Sequence, residues 1–287
     1  MATEPTNDEL AAWETSSQYW AKHQSLIAEM FAPLTRALIE AAHIGQPRGF
    51  GQSVIDIGGG SGEPSFTIAQ TMGASGSVTY TDPSAGMVKA AQEGSQRRRL
   101  TNIQFHQCPA EQLPFPDNAF DVAVSRLAAM FFPDPLAGLS EILRVIRPGA
   151  RLSLLVWGPR AVNPFFSVVS DVLNEFVPAD VEDEDAPAAF RFARTGKLAR
   201  LLEEAGASSV TERTLAFQIE APITIKNFYE LRTEMSDTFR TKLATLSTEQ
   251  IKAVKAAVEK AVAGYFKGGA MSFPAQVLIV TGRKAKL

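Results

Sequence analysis

Apolar and polar positions change rhythm three times along the chain. Over residues 8–45, Tyr19, Leu26, Met30, Leu34 and Leu38 recur at roughly helical spacing, and Pro33 splits the segment into two helices. "GQPRG" then reads as a loop. From Val54 the pattern switches to short runs that are apolar on both faces: "VIDI", "SVTYTD", "NIQFHQC", "AFDVAVSR" and "ARLSLLVW". Helical patterns over Glu63–Met72, "AGMVKAAQEGSQRRR" and "PLAGLSEILRVIRPG" fall between them, the last stopped by Pro148-Gly149. Strands apolar on both faces and alternating with helices predict an α/β fold with a parallel sheet covered by helices.

After Trp157 the alternation ends. A helix around Phe166 to Phe176, the acidic stretch "ADVEDEDAPAA" and a helix in "TGKLARLLEEAG" precede "SSVTERTLAFQIEAP", which alternates like an exposed edge strand. The acidic stretch reads as a solvated loop, because no histidine or ligand spacing accompanies it. Residues 224–267 read as helical, with Ile251, Val254, Val258, Val262 and Tyr265 on one stripe, and "QVLIVTGRKA" is a last strand.

Composition narrows the class without deciding it. The 287 residues are about twice a single-domain length, and 45% apolar with 21% charged is ordinary for a soluble globular chain. A net charge of −3 argues against a broad nucleic-acid or anionic-membrane surface. Arg97-Arg98-Arg99 is the one basic cluster of the first half and reads as a solvated helix end. The single cysteine, Cys108, forbids an intrachain disulfide and fits a reducing, cytoplasmic compartment. No apolar signal core opens the chain, no run long enough to cross a membrane follows, and no metal site is expected.

The chemistry begins at "SVIDIGGGSGEPS", where Asp56 precedes Gly58, Gly59, Gly60 and Gly62 at the junction of the first strand and the next helix. Ligands of open parallel sheets bind beyond the carboxyl ends of the strands, and glycines let backbone approach them closely. A nicotinamide fingerprint would place its third glycine where Glu63 stands, and a pyrophosphate would suffer beside Asp56. A ligand carrying an ammonium and a sulfonium would benefit, and S-adenosyl-L-methionine is such a ligand. Asp82 ends the second strand, where a carboxylate can accept both hydroxyls of a ribose.

In these residues the chain resembles the class I S-adenosylmethionine-dependent methyltransferases. It is most similar to the small-molecule group around the ubiquinone/menaquinone-biosynthesis (type 11) enzymes. "VIDIGGGSGEPS" looks like their first motif, "TDPSAGMVKAA" their second, "AEQLPFPDNAFDVAVSR" their third and fourth, and "EILRVIRPGARLSLLVW" the following segment, over about residues 50–158. The resemblance implies a Rossmann-like, mostly parallel seven-stranded sheet with helices on both faces and an added helical cap. The expected division is a helical lid at 1–48, a cofactor-binding core at 49–158, and cap insertions at 159–194 and 222–268. The remainder of the core would be 195–221 and 269–287.

The resemblance also implies roles. Asp56 would orient the glycine loop and reach toward the methionine ammonium, with Gly58 and Gly60 beneath the cofactor. Asp82 would bind the ribose, Met87 the adenine face, Ala110 and Glu111 the adenine edge through backbone groups, and Ser125 with Arg126 the methionine moiety. Met87 could equally be core, and Arg126 could pair structurally. Where this group often has Asp before the Ala-Glu pair, this chain has Pro109, preceded by Cys108, which reads as loop packing.

A sulfonium needs mainly collinear positioning in a dry pocket, and a hydroxyl acceptor would add a base. His23 with Tyr19 is the candidate base pair, against the alternative that "YWAKH" is simply an amphipathic helix. His43 precedes the first strand and His106 lies within the third, so neither is expected to act. Met130, Phe131, Trp157, Asn163, Phe165, Tyr229, Arg232 and Met235 would wall a small, partly aromatic or apolar acceptor. No nucleic-acid motif or membrane insertion is expected. Oligomeric state is left open, as is the choice among oxygen, nitrogen, sulfur and carbon as the methylated atom. A non-catalytic S-adenosylmethionine-binding protein and a nicotinamide oxidoreductase are the competing classes.

Overall fold

A computed structural model describes residues 7–45, 51–178 and 183–286. The loop expected at 46–49 and the start of the acidic stretch, 179–182, lie outside the described residues.

The N-terminal segment forms α1 (Asn7–Lys22), α2 (Gln24–Met30) and α3 (Ala32–Ala42). Pro33 sits in the first turn of α3, where its missing N–H leaves no intrahelical bond unmade. Strands and helices then alternate: β1 (Ser53–Ile57), α4 (Ser65–Met72), β2 (Ser77–Asp82), α5 (Ala85–Arg97), β3 (Ile103–Gln107), β4 (Phe120–Arg126), α6 (Pro135–Val145) and β5 (Ile146–Trp157). The helix expected to run to Pro148-Gly149 ends three residues earlier. Ile146 already pairs with Phe120, and Pro148 and Gly149 lie within the first residues of β5. Tertiary pairing there outweighs the helical pattern of "EILRVIR".

Beyond β5 follow α7 (Pro164–Asn174), α8 (Lys197–Glu204), β6 (Ala207–Ala221), α9 (Ile225–Met235), α10 (Asp237–Ala244), α11 (Thr248–Val262), β7 (Phe266–Lys267) and β8 (Ala270–Lys284). Among the described residues the expected seven strands run in the order β3-β2-β1-β4-β5-β8-β6, and the two-residue β7 adds to the sheet beside β8. The first five are parallel, while β8 runs antiparallel to both β5 and β6. β6 is the edge, and its alternating burial matches the alternation of its sequence. The winding direction reverses between β1 and β4, so the crevice for a ligand opens at their carboxyl ends.

Helices α4 and α5 pack on β2 and β3, α3 crosses β4, β5 and β8, α6 lies on β5, and α8 covers β6 and β8. Helices α7, α9, α10 and α11 pack on one another. Val254, Val258 and Val262, one turn apart on α11, are fully buried. Phe273 of β8 stacks on Phe228 of α9 at 5.1 Å and on Tyr265 at 4.3 Å, joining these helices to the sheet. No helix among the described residues is long and apolar enough to cross a membrane.

Candidate active site

The loop after β1 turns beneath the end of β2. Gly59 N–H donates to Thr81 O (3.0 Å), Gly60 N–H to the Asp82 carboxylate (2.9 Å), and Tyr80 Oη to Gly60 O (2.5 Å). Several of its glycines answer to the chain itself. A Cβ on Gly58 would fall 2.4 Å from that of Ala128, and one on Gly59 2.4 Å from the Tyr80 ring. A Cβ on Gly62 would fall 2.0 Å from the Phe66 ring. Only at Gly60, with φ +55°, would a Cβ within this loop meet nothing. The close approach anticipated for the whole loop therefore has room at Gly60, and internal packing accounts for the other three.

Asp56, fully buried, accepts 2.6 Å from Ser65 Oγ through one oxygen and leaves Oδ1 with no partner among the described residues. The Ser65 bond ties the strand end to the first turn of α4. Burial pushes the Asp56 carboxyl up to about 7, against the pull of Ser65 and of the Arg126 charge. Asp82 accepts from Ser84 N–H (3.0 Å) with its other oxygen, and burial raises it to about 6, with help from the nearby Glu14 carboxylate. Ser84 caps α5 by accepting from Met87 N–H at 3.1 Å. Met87 is buried yet joins neither apolar cluster of the described residues.

Cys108 donates its N–H to Asp82 O, and burial followed by the Asp82 charge pushes its thiol up to about 12, which removes it as a nucleophile at neutral pH. Ala110 is buried nearby in sequence, and the Glu111 side chain turns away to accept from Asp134 N–H at 3.3 Å at the start of α6. On β4, Ser125 Oγ is buried and has no partner among the described residues. Arg126 donates to Thr35 Oγ1 (2.7 Å) and to Glu63 O (3.0 Å), so it clamps α3 to the glycine loop.

The structure thus gathers Asp56, Gly58, Gly60, Asp82 and Arg126 around one loop, with Met87 in the first turn of the helix that Asp82 precedes. His23 and Tyr19 are engaged elsewhere. His23 Nε2 meets Glu234 Oε2 of α9 at 2.5 Å, alongside Lys22, and the Arg240 guanidinium lies 4.9 Å over the Tyr19 ring. Burial raises the Glu234 carboxyl, but Lys22 and His23 outweigh it and hold the group below its usual range. His106 packs edge-on to Phe115, and His43 ends α3 in a left-handed conformation.

Of the expected wall, Asn163 is corrected. It is fully buried, its amide N–H donates to Gly158 O, Pro159 O and Gln276 O, and its Oδ1 accepts from Gln276 N–H. It is a strut between β5 and β8. Tyr229 packs edge-on against Phe239 and below Lys255, facing the cap interior. Arg97 and Arg98 do more than solvate a helix end, since both donate to Gln24 Oε1, and Arg98 covers the Phe66 ring at 4.5 Å.

Sequence reasoning missed Glu14. Its carboxylate accepts from Ala85 N–H (2.5 Å) and Gly86 N–H (3.0 Å) at the start of α5, directly after the Asp82 turn. Trp13 beside it sets its ring edge-on to Phe131 at 5.1 Å. No local signal marks a carboxylate on one helix as the cap of another 71 residues away. Among the described residues no cluster of His, Cys, Asp or Glu could hold a metal.

A methyltransferase domain model matches residues 55–154, from β1 into β5. A demethylmenaquinone methyltransferase of Listeria welshimeri is 30% identical over 56% of this chain and 72% of its own length. An uncharacterized protein of Mycobacterium tuberculosis is 28% identical over 74% of this chain and 73% of its own. In fold, the chain is similar to the phosphoethanolamine N-methyltransferase 2 of Haemonchus contortus, solved with S-adenosyl-L-methionine. The TM-score is 0.56 at 17% identity, over 94% of this chain and 58% of that one.

The chain belongs to the class I S-adenosylmethionine-dependent methyltransferases. It is an enzyme of that family, similar to the ubiquinone/menaquinone-biosynthesis group, and its cofactor is S-adenosylmethionine.

Proposed function

We propose that this methyltransferase acts on a small molecule admitted between the carboxyl ends of β1 and β4 and the helical cap. The observation that carries the reading is the buried Asp56 Oδ1 at the end of β1, which has no partner among the described residues. Buried polar atoms are normally satisfied, so an orphan carboxylate oxygen at this strand end points to a polar ligand. An acidic orphan suits an ammonium. Asp82 is braced by two backbone N–H groups and keeps a second lone pair on each oxygen for two ribose hydroxyls. Met87 would pack on adenine, and Ala110 and Glu111 would offer backbone groups to its edge.

When bound, the sulfonium supplies a methyl group on an already good leaving group, and transfer is an in-line displacement. The protein's part is then orientation and dryness. Arg126 acts as a positioning residue through Glu63 O, and α1 covers the start of α5 through Glu14. His23, held at Nε2 by Glu234, is the proposed base for an acceptor that must lose a proton, with Tyr19 one turn before it on the lid. The 1–48 segment is the lid and 159–194 with 222–268 the cap in this reading. The net charge of −3 and the buried, unpaired Cys108 favour a cytoplasmic enzyme with no nucleic-acid partner.

The test is calorimetric titration with S-adenosylmethionine, S-adenosylhomocysteine and NADH, on the wild type and on Asp82→Ala. The first two should bind in the micromolar range, and the variant should weaken them about tenfold or more, as for loss of hydrogen bonds to a charged group. Methyl label should then appear in a small-molecule fraction of cell extract. Label confined to protein or RNA, or NADH binding alone, would sink the proposal.

A further inference from the structure

Arg232 of α9 is 7% exposed, its Nε is fully buried without a partner, and its other two nitrogens, which keep some exposure, make no hydrogen bond or ion pair among the described residues. Other inward-facing arginines are provided for. Arg126 has Thr35 and Glu63 O, Arg144 has Glu141 and Asp117, and Arg240 has Asp237 and Ser16. Burial alone lowers the Arg232 guanidinium to about 10, so it stays charged at neutral pH, and no neighbouring charge offsets that burial. What surrounds it is aromatic: its central carbon lies 4.9 Å over the Phe165 ring and 4.8 Å over that of Phe166. Ring faces answer part of the charge but offer no lone pairs to five N–H donors. Buried charges in proteins are ordinarily paired, so this one lacks an acceptor.

Its position says where the acceptor would come from. The Phe166 ring lies 4.7 Å from Trp157, the last residue of β5, so the aromatic wall runs from the carboxyl end of the sheet to Arg232. The guanidinium therefore lies between α9 and the start of α7, at the inner end of a row of rings that begins at Trp157.

We propose that Arg232 receives the carboxylate of the methyl acceptor, and that the acceptor is an aromatic or apolar carboxylic acid lying along Phe166 and Trp157. The inference rests on the methyltransferase reading above. A planar guanidinium matches a carboxylate in a two-bond fork. A phosphate dianion would call for a second cation, and none acts on Arg232. The other carboxylate that could reach this region is the methionine carboxylate of the cofactor, which is a separable source.

The experiment uses the full chain saturated with S-adenosylhomocysteine and titrated with benzoate, phenylacetate and indole-3-acetate, each beside its primary amide. It is run on the wild type, Arg232→Met and Arg232→Lys. In the wild type at least one acid should bind about tenfold or more tightly than its amide, the scale of one charge-assisted fork. Arg232→Met should erase that preference, keep S-adenosylhomocysteine affinity within about twofold, and melt no lower than the wild type, since a buried unpaired charge has been removed. Arg232→Lys keeps the charge without the fork and should lose most of the preference. It also decides the matter if Arg232→Met does not fold.

No acid preferred over its amide, with S-adenosylhomocysteine bound, overturns this inference alone. A preference that survives both substitutions overturns it as well. A variant that weakens S-adenosylhomocysteine and leaves the acids unaffected assigns Arg232 to the cofactor and overturns it too. Failure of S-adenosylhomocysteine to bind the wild type would bring down the underlying reading, and this one with it.

Discussion

Asp56 and Asp82 stand at the ends of adjacent strands with carboxyls raised to about 7 and about 6, burial being the main cause in both. An unfolded aspartate titrates near 3.9. Between roughly pH 4 and 7 the folded chain therefore holds protons that the unfolded chain has lost, and its stability falls as pH rises through that window. The Asp56 contribution is on the order of a few kcal/mol. Asp56→Asn keeps an acceptor for Ser65 Oγ and removes the charge. It should raise the melting temperature of the ligand-free protein at pH 8, leave it near the wild type at pH 5, and weaken S-adenosylmethionine binding. Parallel melting curves across pH for the two proteins would show that Asp56 does not titrate in this way.

The glycine loop separates two costs of a methyl group. Gly60→Ala places a Cβ in open space at φ +55° and should cost about 1 kcal/mol of stability while weakening cofactor binding. Gly62→Ala drives its Cβ into the Phe66 ring at φ +120° and should cost several times more, with expression and melting reporting the difference. Equal destabilisation by both would mean that Gly60 is as enclosed as Gly62.

At the scale of elements, α1 is tied to the rest of the fold at its middle and at its C-terminal end. Glu14 caps α5, and Lys22 with His23 meets Glu234 of α9. A carboxylate at a helix N-terminus is worth about 0.3–1 kcal/mol, a small part of the whole stability. Glu14→Ala should therefore speed hydrogen exchange across residues 10–22 with little change in melting temperature. It should also raise the dissociation rate of S-adenosylhomocysteine, measured by stopped flow. Unchanged exchange in α1 would remove that tie.

The same scale shows where local pattern ruled and where it yielded. The alternation of β6, the Val254-Val258-Val262 stripe and the break at Pro33 were legible because each depends on period or on a missing N–H. The end of α6 was not, because pairing of Ile146 with Phe120 recruits residues whose own spacing is helical.

At the scale of the molecule, binding at one crevice should stabilise the whole sheet. A ligand at a hundred times its dissociation constant adds about 2.7 kcal/mol, which for a chain of this length is roughly 5 °C in melting temperature. S-adenosylhomocysteine should produce that shift in the wild type and little of it in Asp82→Ala. An equal shift in both would place the cofactor away from Asp82.

The alternation of apolar runs with helical segments determined a parallel sheet wound around β1. The order of Asp56, the glycines and Asp82 pointed to the cofactor class and to the strand ends proposed to hold it. Both are local properties, because strand period and the loop joining a strand to its helix involve residues close together in the chain. Tertiary structure alone decided that Glu14 caps α5, that Arg126 spends its donors on Thr35 and Glu63, and that Arg232 lies among rings with no acceptor from the described residues. These depend on which side chains meet across 71, 91 and 66 positions of chain. Burial and the pairing of charges are properties of that meeting.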